Sequence, residues 1–291
     1  MNMSASIDFE AFIEEAVQRS VSGDIYMLLD HAGLDGLRQQ LARSPLEWKS
    51  LFEGTKEANA MAVAPIVVSV VRNGTISVPR SFCKWLGERG TYSSSILILS
   101  SPLDLGSLAN RLIKRLNVEL SENMAALLRF FDPRVFEALM NTLTIEQREL
   151  FLCPADQWWY VDRTGIPRNV ESVFGENEES SYRLALSADQ EFALVDACEI
   201  DQVLTLLRER VPSLIESKEY KEFFRSVELN MENAKRIGLS SIEDLALYNI
   251  VVLSSDEVFL GSPMWLDILA ETERSPDKFS GLLLALDSDC F

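Results

Sequence analysis

Five short apolar runs, separated by helix-patterned segments, restrict this chain more than any other feature. They are IYMLLD (25–30), PIVVSVV (65–71), SSILILS (94–100), MAALLRFF (124–131) and QWWYV (157–161). Their length and their β-branched and aromatic residues suit strands. They are continuous rather than alternating, as expected of a sheet covered on both faces. Phe9, Phe12, Ile13, Ala16 and Val17 form a helical face ahead of the first run, and Leu34, Leu37 and Leu41 another after it. A loop carrying Trp48, Phe52 and Gly54 leads to the second run, which Asn73-Gly74 stops. Residues 79–88 read as helix, Leu105, Leu108, Ala109, Leu112, Ile113 and Leu116 make a clean helical stripe, and 133–141 and 144–150 are two short helices. Strand and helix taking turns predict an α/β N-terminal lobe, a mixed sheet flanked by helices, over residues 1–165.

The composition changes after Arg163. Residues 166–187, with GENEESS at 175–181, read as a polar acidic connecting segment. Residues 188–291 are patterned as helix almost throughout and predict an all-α C-terminal lobe. Phe192, Val195, Ile200, Val203, Leu204, Leu207 and Val211 keep one stripe up to Pro212, and 218–238 is a second long helix with Gly238 as its stop. Shorter helices are expected at 241–250, 263–271 and 276–285.

With 45 acidic against 27 basic residues the formal net charge is -18. Such a surface repels phosphate backbones and anionic lipid, so neither nucleic acid nor membrane is expected as a partner. No run approaches the ~18 apolar residues of a membrane span. Asp8, Glu10, Glu14 and Glu15 stand where a signal peptide needs a basic start, so a cytoplasmic location is expected. Cys83, Cys153, Cys198 and Cys290 are far apart without a C-x-x-C pair, which favours idle thiols over a metal site.

Nucleophilic catalysis usually needs a base, and the only histidine is His31. Asp30-His31 ends a predicted strand without a G-x-S-x-G elbow, and a turn position satisfying local hydrogen bonds explains it better than a catalytic one. No Walker A, G-x-G-x-x-G, H-E-x-x-H or EF-hand pattern occurs. Composition leaves a two-carboxylate hydrolase open, but the acids fall on helix faces and in the 171–181 loop, where solvation accounts for them. No catalytic residue, cofactor or metal is expected.

The string LLRFFDPRVFEALM (127–140) draws the eye to Arg129, Asp132 and Arg134. Asp132 is a good helix N-cap and Pro133 suits the first helical position, so the pair marks a strand-to-helix switch. Arg129 would alternate with Leu127 and Phe131 on one strand face, an awkward place for a charge. It needs a carboxylate or backbone carbonyls there, and Asp132 or another acid could serve. Trp158-Trp159-Tyr160 puts large aromatics on opposite strand faces, and at least one must find cover from a helix, the other lobe or a partner. Arg129, Arg134, Trp158 and Trp159 are therefore the candidate partner-binding residues, although scaffold is the favoured reading of the arginines and core that of the tryptophans.

The order of these pieces resembles the domain-of-unknown-function family of type VI secretion effector adaptors, also called effector chaperones. The matching residues are Tyr26 to Asp30, Trp48 to Thr55, Ala64-Pro65, Ser100 to Leu108 and, most specifically, Arg129 to Arg134. NAKRIGLSSIEDLALYNIVV (233–252) and Met264-Trp265 look like the family's helical part. The resemblance implies a bacterial, cytoplasmic, non-catalytic adaptor. It would bind a cognate type VI effector and help load it onto the C-terminal region of the VgrG spike, with a PAAR-type tip as a further partner. An immunity protein that neutralises a toxin is the alternative, and a hydrolase using His31 or paired carboxylates stands behind both.

Overall fold

The computed structural model describes residues 8–20, 24–72, 74–93, 95–176, 182–216 and 220–289. Ten strands occur among them: β1 (Ile25–Leu29), β2 (Trp48–Ser50), β3 (Ile66–Arg72), β4 (Thr75–Ile76), β5 (Ile96–Ser100), β6 (Asn117–Glu119), β7 (Ala125–Leu127), β8 (Gln157–Val161), β9 (Pro167–Glu171) and β10 (Leu184–Ala185). Six helices accompany them: α1 (Phe9–Arg19), α2 (Leu37–Ala42), α3 (Arg80–Ser93), α4 (Leu105–Lys114), α5 (Pro133–Thr142) and α6 (Ile145–Leu152). The rest is helical: α7 (Ala188–Arg210), α8 (Pro212–Glu216), α9 (Tyr220–Arg236), α10 (Ile242–Ser254), α11 (Glu257–Leu260), α12 (Pro263–Arg274) and α13 (Phe279–Asp289). An α/β region followed by an all-helical one is therefore the architecture. No described helix is long and apolar enough to cross a membrane.

The described residues divide into two compact units, 8–195 and 196–289, and the boundary falls inside α7. In the first unit the main sheet runs β2-β3-β1-β5-β8-β9, with β4 beside β3. Its pairings are antiparallel, and the parallel pair β10–β6 belongs to a small second sheet, β10-β6-β7.

Alternation along the strands explains why the runs are unbroken. Tyr26, Leu28, Leu97, Leu99, Trp158 and Tyr160 point into a core shared with α4, α5 and α6. Ile25, Met27, Leu29, Ile96, Ile98 and Trp159 point into another, lined by α1, α2 and α3. In β1, β5 and β8, buried on both faces, polar side chains occur only at the strand ends.

Three sequence expectations shift. Trp48–Ser50, read as loop, is a strand paired with β3. Only Ala125–Leu127 of the run 124–131 is strand, and it pairs with β6 in the small sheet. Phe130 and Phe131 are buried in the same core, whereas adjacent residues of a strand point to opposite faces; Phe130 packs edge-on against Phe151 at 5.4 Å. Residues 166–187 supply β9 and β10 to the first unit, while 177–181, most of the acidic GENEESS stretch, lie outside the described residues.

The helical unit has its own core, centred on Phe223, Val227, Leu245, Trp265 and Phe279. Gly238 ends the segment after α9 at φ +90, and a Cβ there would sit 2.7 Å from Pro276 Cγ, so only glycine fits.

Trp158 is the largest buried group in its layer, stacked on Phe136 with centroids 5.4 Å apart and donating its indole N–H to the Leu152 carbonyl at 3.1 Å. Trp158→Ala is expected to lower unfolding free energy by about 3–5 kcal/mol in urea titration. A loss under about 1 kcal/mol would show that this layer is not packed as described.

Candidate functional site

β1 and β8 are both antiparallel to β5 and so end on the same side of the sheet, where the apolar runs give way to Asp30 and Asp162. Asp30 Oδ1 accepts from the Ala32 amide at 3.0 Å, which starts a short 3-10 turn through His31. Its Oδ2 accepts from Arg129 Nη2 at 2.9 Å. The acid is 4% exposed and the arginine 50%, so a buried carboxylate holds a half-exposed guanidinium that also lies 5.7 Å from the Phe131 ring centroid. Of the partners the sequence left open for Arg129, the structure supplies an acid, and it is Asp30 rather than Asp132.

Asp132 caps α5 as read from the sequence, its Oδ1 accepting from the Arg134 amide at 3.0 Å. The Arg134 side chain folds back onto the same carboxylate, Nε to Oδ1 at 2.9 Å and Nη2 to Oδ2 at 2.6 Å. One buried acid thus satisfies a helix terminus and fixes a two-pronged arginine. Pro133 occupies the first helical turn and is buried.

Four neighbouring residues complete the charged row, and the sequence reading passed over them. Arg163 donates to Glu137 Oε2 at 2.8 Å and to the Arg134 carbonyl at 3.1 Å, tying the turn after β8 to α5. Asp162 Oδ1 accepts from the Thr164 amide, the Thr164 hydroxyl and the Ile166 amide, and its Oδ2 from Arg168 Nε at 2.7 Å. The signal was present: Asp162-Arg163-Thr164-Gly165 between two strands is a hairpin turn, with Gly165 at φ +81. Arg115 was also missed. It is fully buried, and its guanidinium donates to the Phe151, Leu150 and Arg111 carbonyls. It clamps α4 to the end of α6, a scaffold task.

The acids differ in their electrostatics. Burial raises Asp30 above the ordinary carboxylate range, and Arg129 only partly opposes it. Burial likewise raises Glu137 against the pull of Arg163. For Asp162, burial pushes up, but the Ile166 amide, the Thr164 hydroxyl and Arg168 together outweigh it and leave the group lowered. His31 is lowered, first by burial and then by Arg38, so its imidazole favours the neutral form. His31 Nδ1 is buried without a hydrogen-bond partner among the described residues.

The other candidates fall inside the fold. Trp158 and Trp159 are buried on opposite faces, in the two separate cores. The partner-contact role considered for them is corrected accordingly: α5 and α6 cover Trp158, the helices of the opposite layer cover Trp159, and neither ring is on the surface. Arg129 and Arg134 keep exposed area and remain the reachable members. Among the described residues no group of three His, Cys, Asp or Glu side chains is placed to hold a metal ion.

Residues 25–150 match the family model "Domain of unknown function (DUF4123)", a domain known in type VI secretion effector chaperone and adaptor proteins. The match runs from β1 into α6 and includes Asp30, Arg129, Asp132 and Arg134. No curated protein matches the chain, and no solved structure does.

Asp162 and Asp30 should respond oppositely to neutralisation. The folded pKa of Asp162 lies below its unfolded value of about 4. Its contribution to stability is therefore present above that value and is lost as pH falls through the folded one. The folded pKa of Asp30 lies above its unfolded value, so ionised Asp30 costs stability once pH rises past the ordinary carboxylate range. At pH 7 Asp162→Asn is expected to destabilise by about 1–3 kcal/mol, a deficit that closes in acid, while Asp30→Asn leaves stability equal or higher. Urea unfolding of both variants from pH 3 to 7 checks this; equal losses at pH 7 would contradict it.

Proposed function

We propose that this chain is a non-catalytic adaptor that binds a cognate type VI secretion effector in the bacterial cytoplasm and helps load it onto the VgrG spike. The observation that carries the reading is the domain match over residues 25–150, which includes Asp30, Arg129, Asp132 and Arg134. Within the matched region Arg129 and Arg134 are held by buried carboxylates and still reach the surface. An arginine fixed in this way loses little side-chain freedom when a partner's carboxylate or carbonyl meets it, which favours recognition of a polypeptide. The strongly acidic net charge suits a protein partner better than nucleic acid.

Co-expression with the product of an adjacent toxin-like reading frame is expected to yield a complex that survives size-exclusion and captures VgrG or a PAAR-type tip. The double variant Asp30→Asn/Arg129→Gln removes both charges while keeping a donor and an acceptor in place. It is expected to weaken the complex about tenfold or more, roughly the loss of one charge-assisted contact, with an unchanged melting temperature. Recovery of the chain alone from cells making both proteins contradicts the proposal. So does protection of those cells by the chain alone, which is the behaviour of an immunity protein.

A further inference from the structure

An edge strand leaves one row of backbone groups unpaired, and proteins ordinarily guard such edges with charge, proline, short length or a neighbouring element. Among the described residues five strands are edges: β2, β4 and β9 of the main sheet, and β7 and β10 of the small one. β2 lies beside α4, with the Lys49 ammonium against Gly106. β4 and β10 are two residues long, and the Gln147 side chain donates to the Ala185 carbonyl of β10 at 2.8 Å. β9 opens with Pro167, which has no N–H, and carries Arg168 and Glu171. β7 has none of these guards. It reads Ala125-Ala126-Leu127, without charge or proline; Leu127 is 39% exposed and Met124, just before it, 53%.

The register identifies the backbone groups left over. The Leu128 N–H donates to the Leu116 carbonyl and the Leu120 N–H to the Met124 carbonyl, each at 2.7 Å. Bonded positions alternate along an antiparallel pair. Ala126 therefore bonds to Val118 between those two contacts, while Ala125 and Leu127 turn their N–H and C=O groups to the open side. Neither residue has a hydrogen-bond partner there among the described residues. The side chains alternate as well: Ala126 and Leu128 pack on the core, and Ala125 and Leu127 are exposed. The edge is held in place from β6, because the Ser121 hydroxyl donates to Glu191 Oε2 at 3.1 Å and the Ser121 amide to Oε1. Two residues past Leu127 stands Arg129, set on the buried carboxylate of Asp30.

We propose that β7 accepts an extended segment of the protein partner as a further strand. The segment pairs with the amides and carbonyls of Ala125 and Leu127 and carries a carboxylate where it meets Arg129. This rests on the polypeptide-binding function proposed above and supplies the conformation of the bound segment. Unpaired N–H and C=O groups recurring every second residue, about 7 Å apart, match the repeat of another strand. A helix cannot answer them, since its backbone groups bond internally. The exposed Met124 and Leu127 favour apolar side chains in the added strand, and the Arg129 guanidinium favours an acid beside them. A second copy of this chain is the poorer occupant, because each copy brings a formal charge of -18.

The test reads single amides by NMR-detected exchange on the full-length chain. In the free chain Ala125 and Leu127 are expected to exchange fast and Ala126 and Leu128 slowly. In the complex with the co-expressed effector, Ala125 and Leu127 should slow by about tenfold or more. Ala125→Pro/Leu127→Pro removes the two edge donors and keeps the bonds to β6, since proline suits an edge position whose N–H faces outward. This variant should weaken the complex about tenfold or more with little change in melting temperature; if it melts early, exchange in the wild-type complex decides. Slow exchange of Ala125 and Leu127 in the free chain, unchanged exchange in the complex, or full affinity of the folded proline variant would overturn the added strand. Protection that grows with protein concentration alone, with a dimer in light scattering, would give the edge to a second copy and overturn it too. Those results leave the adaptor reading standing, whereas wild-type chain recovered without effector overturns that reading and the added strand with it.

Discussion

A carboxylate withdrawn from water persists only where N–H donors surround it. The α/β unit places three such groups, Asp30, Asp132 and Asp162, where apolar elements begin or end. The constraint originates in the sheet. Because β1, β5 and β8 are covered on both faces, their side chains must be apolar from end to end, and polarity is confined to the strand termini. Each acid there meets backbone amides as well as an arginine. The backbone bonds shape a turn or cap a helix, and the ionic bond points a guanidinium outward. Folding and the fixing of an arginine are thus served by the same carboxylate.

Much of this frame was legible because it depends on local patterns. The unbroken apolar runs gave the strands, the 3.6-residue stripes gave α1, α4, α5 and α9, and Asp132-Pro133 gave the start of α5 together with its cap. What stayed hidden depends on distance along the chain. Arg129 and Asp30 are 99 residues apart, and no local rule pairs them. The run 124–131 misled because Leu128, Phe130 and Phe131 are apolar for the sake of a tertiary core, and packing overrode strand propensity. The tryptophan pair was readable as to face, since adjacent strand residues diverge, but the cover on each side came from helices distant in sequence. Arg115 could not be found at all: its guanidinium donates to carbonyls, which leave no trace in a sequence, and its other neighbours, Cys153 and the Tyr182 ring, are 38 and 67 residues away in the chain.

Hydrogen–deuterium exchange on the full-length chain, free and bound to its co-expressed effector, tests the central claim most directly. The claim is that the arginines set on buried acids meet another polypeptide. Slowed exchange is expected in the turn and helix start at 129–136, with the buried strands β1, β5 and β8 unchanged because they are already protected. A bound state in which that segment does not slow, or in which only the sheet interior changes, would contradict the account.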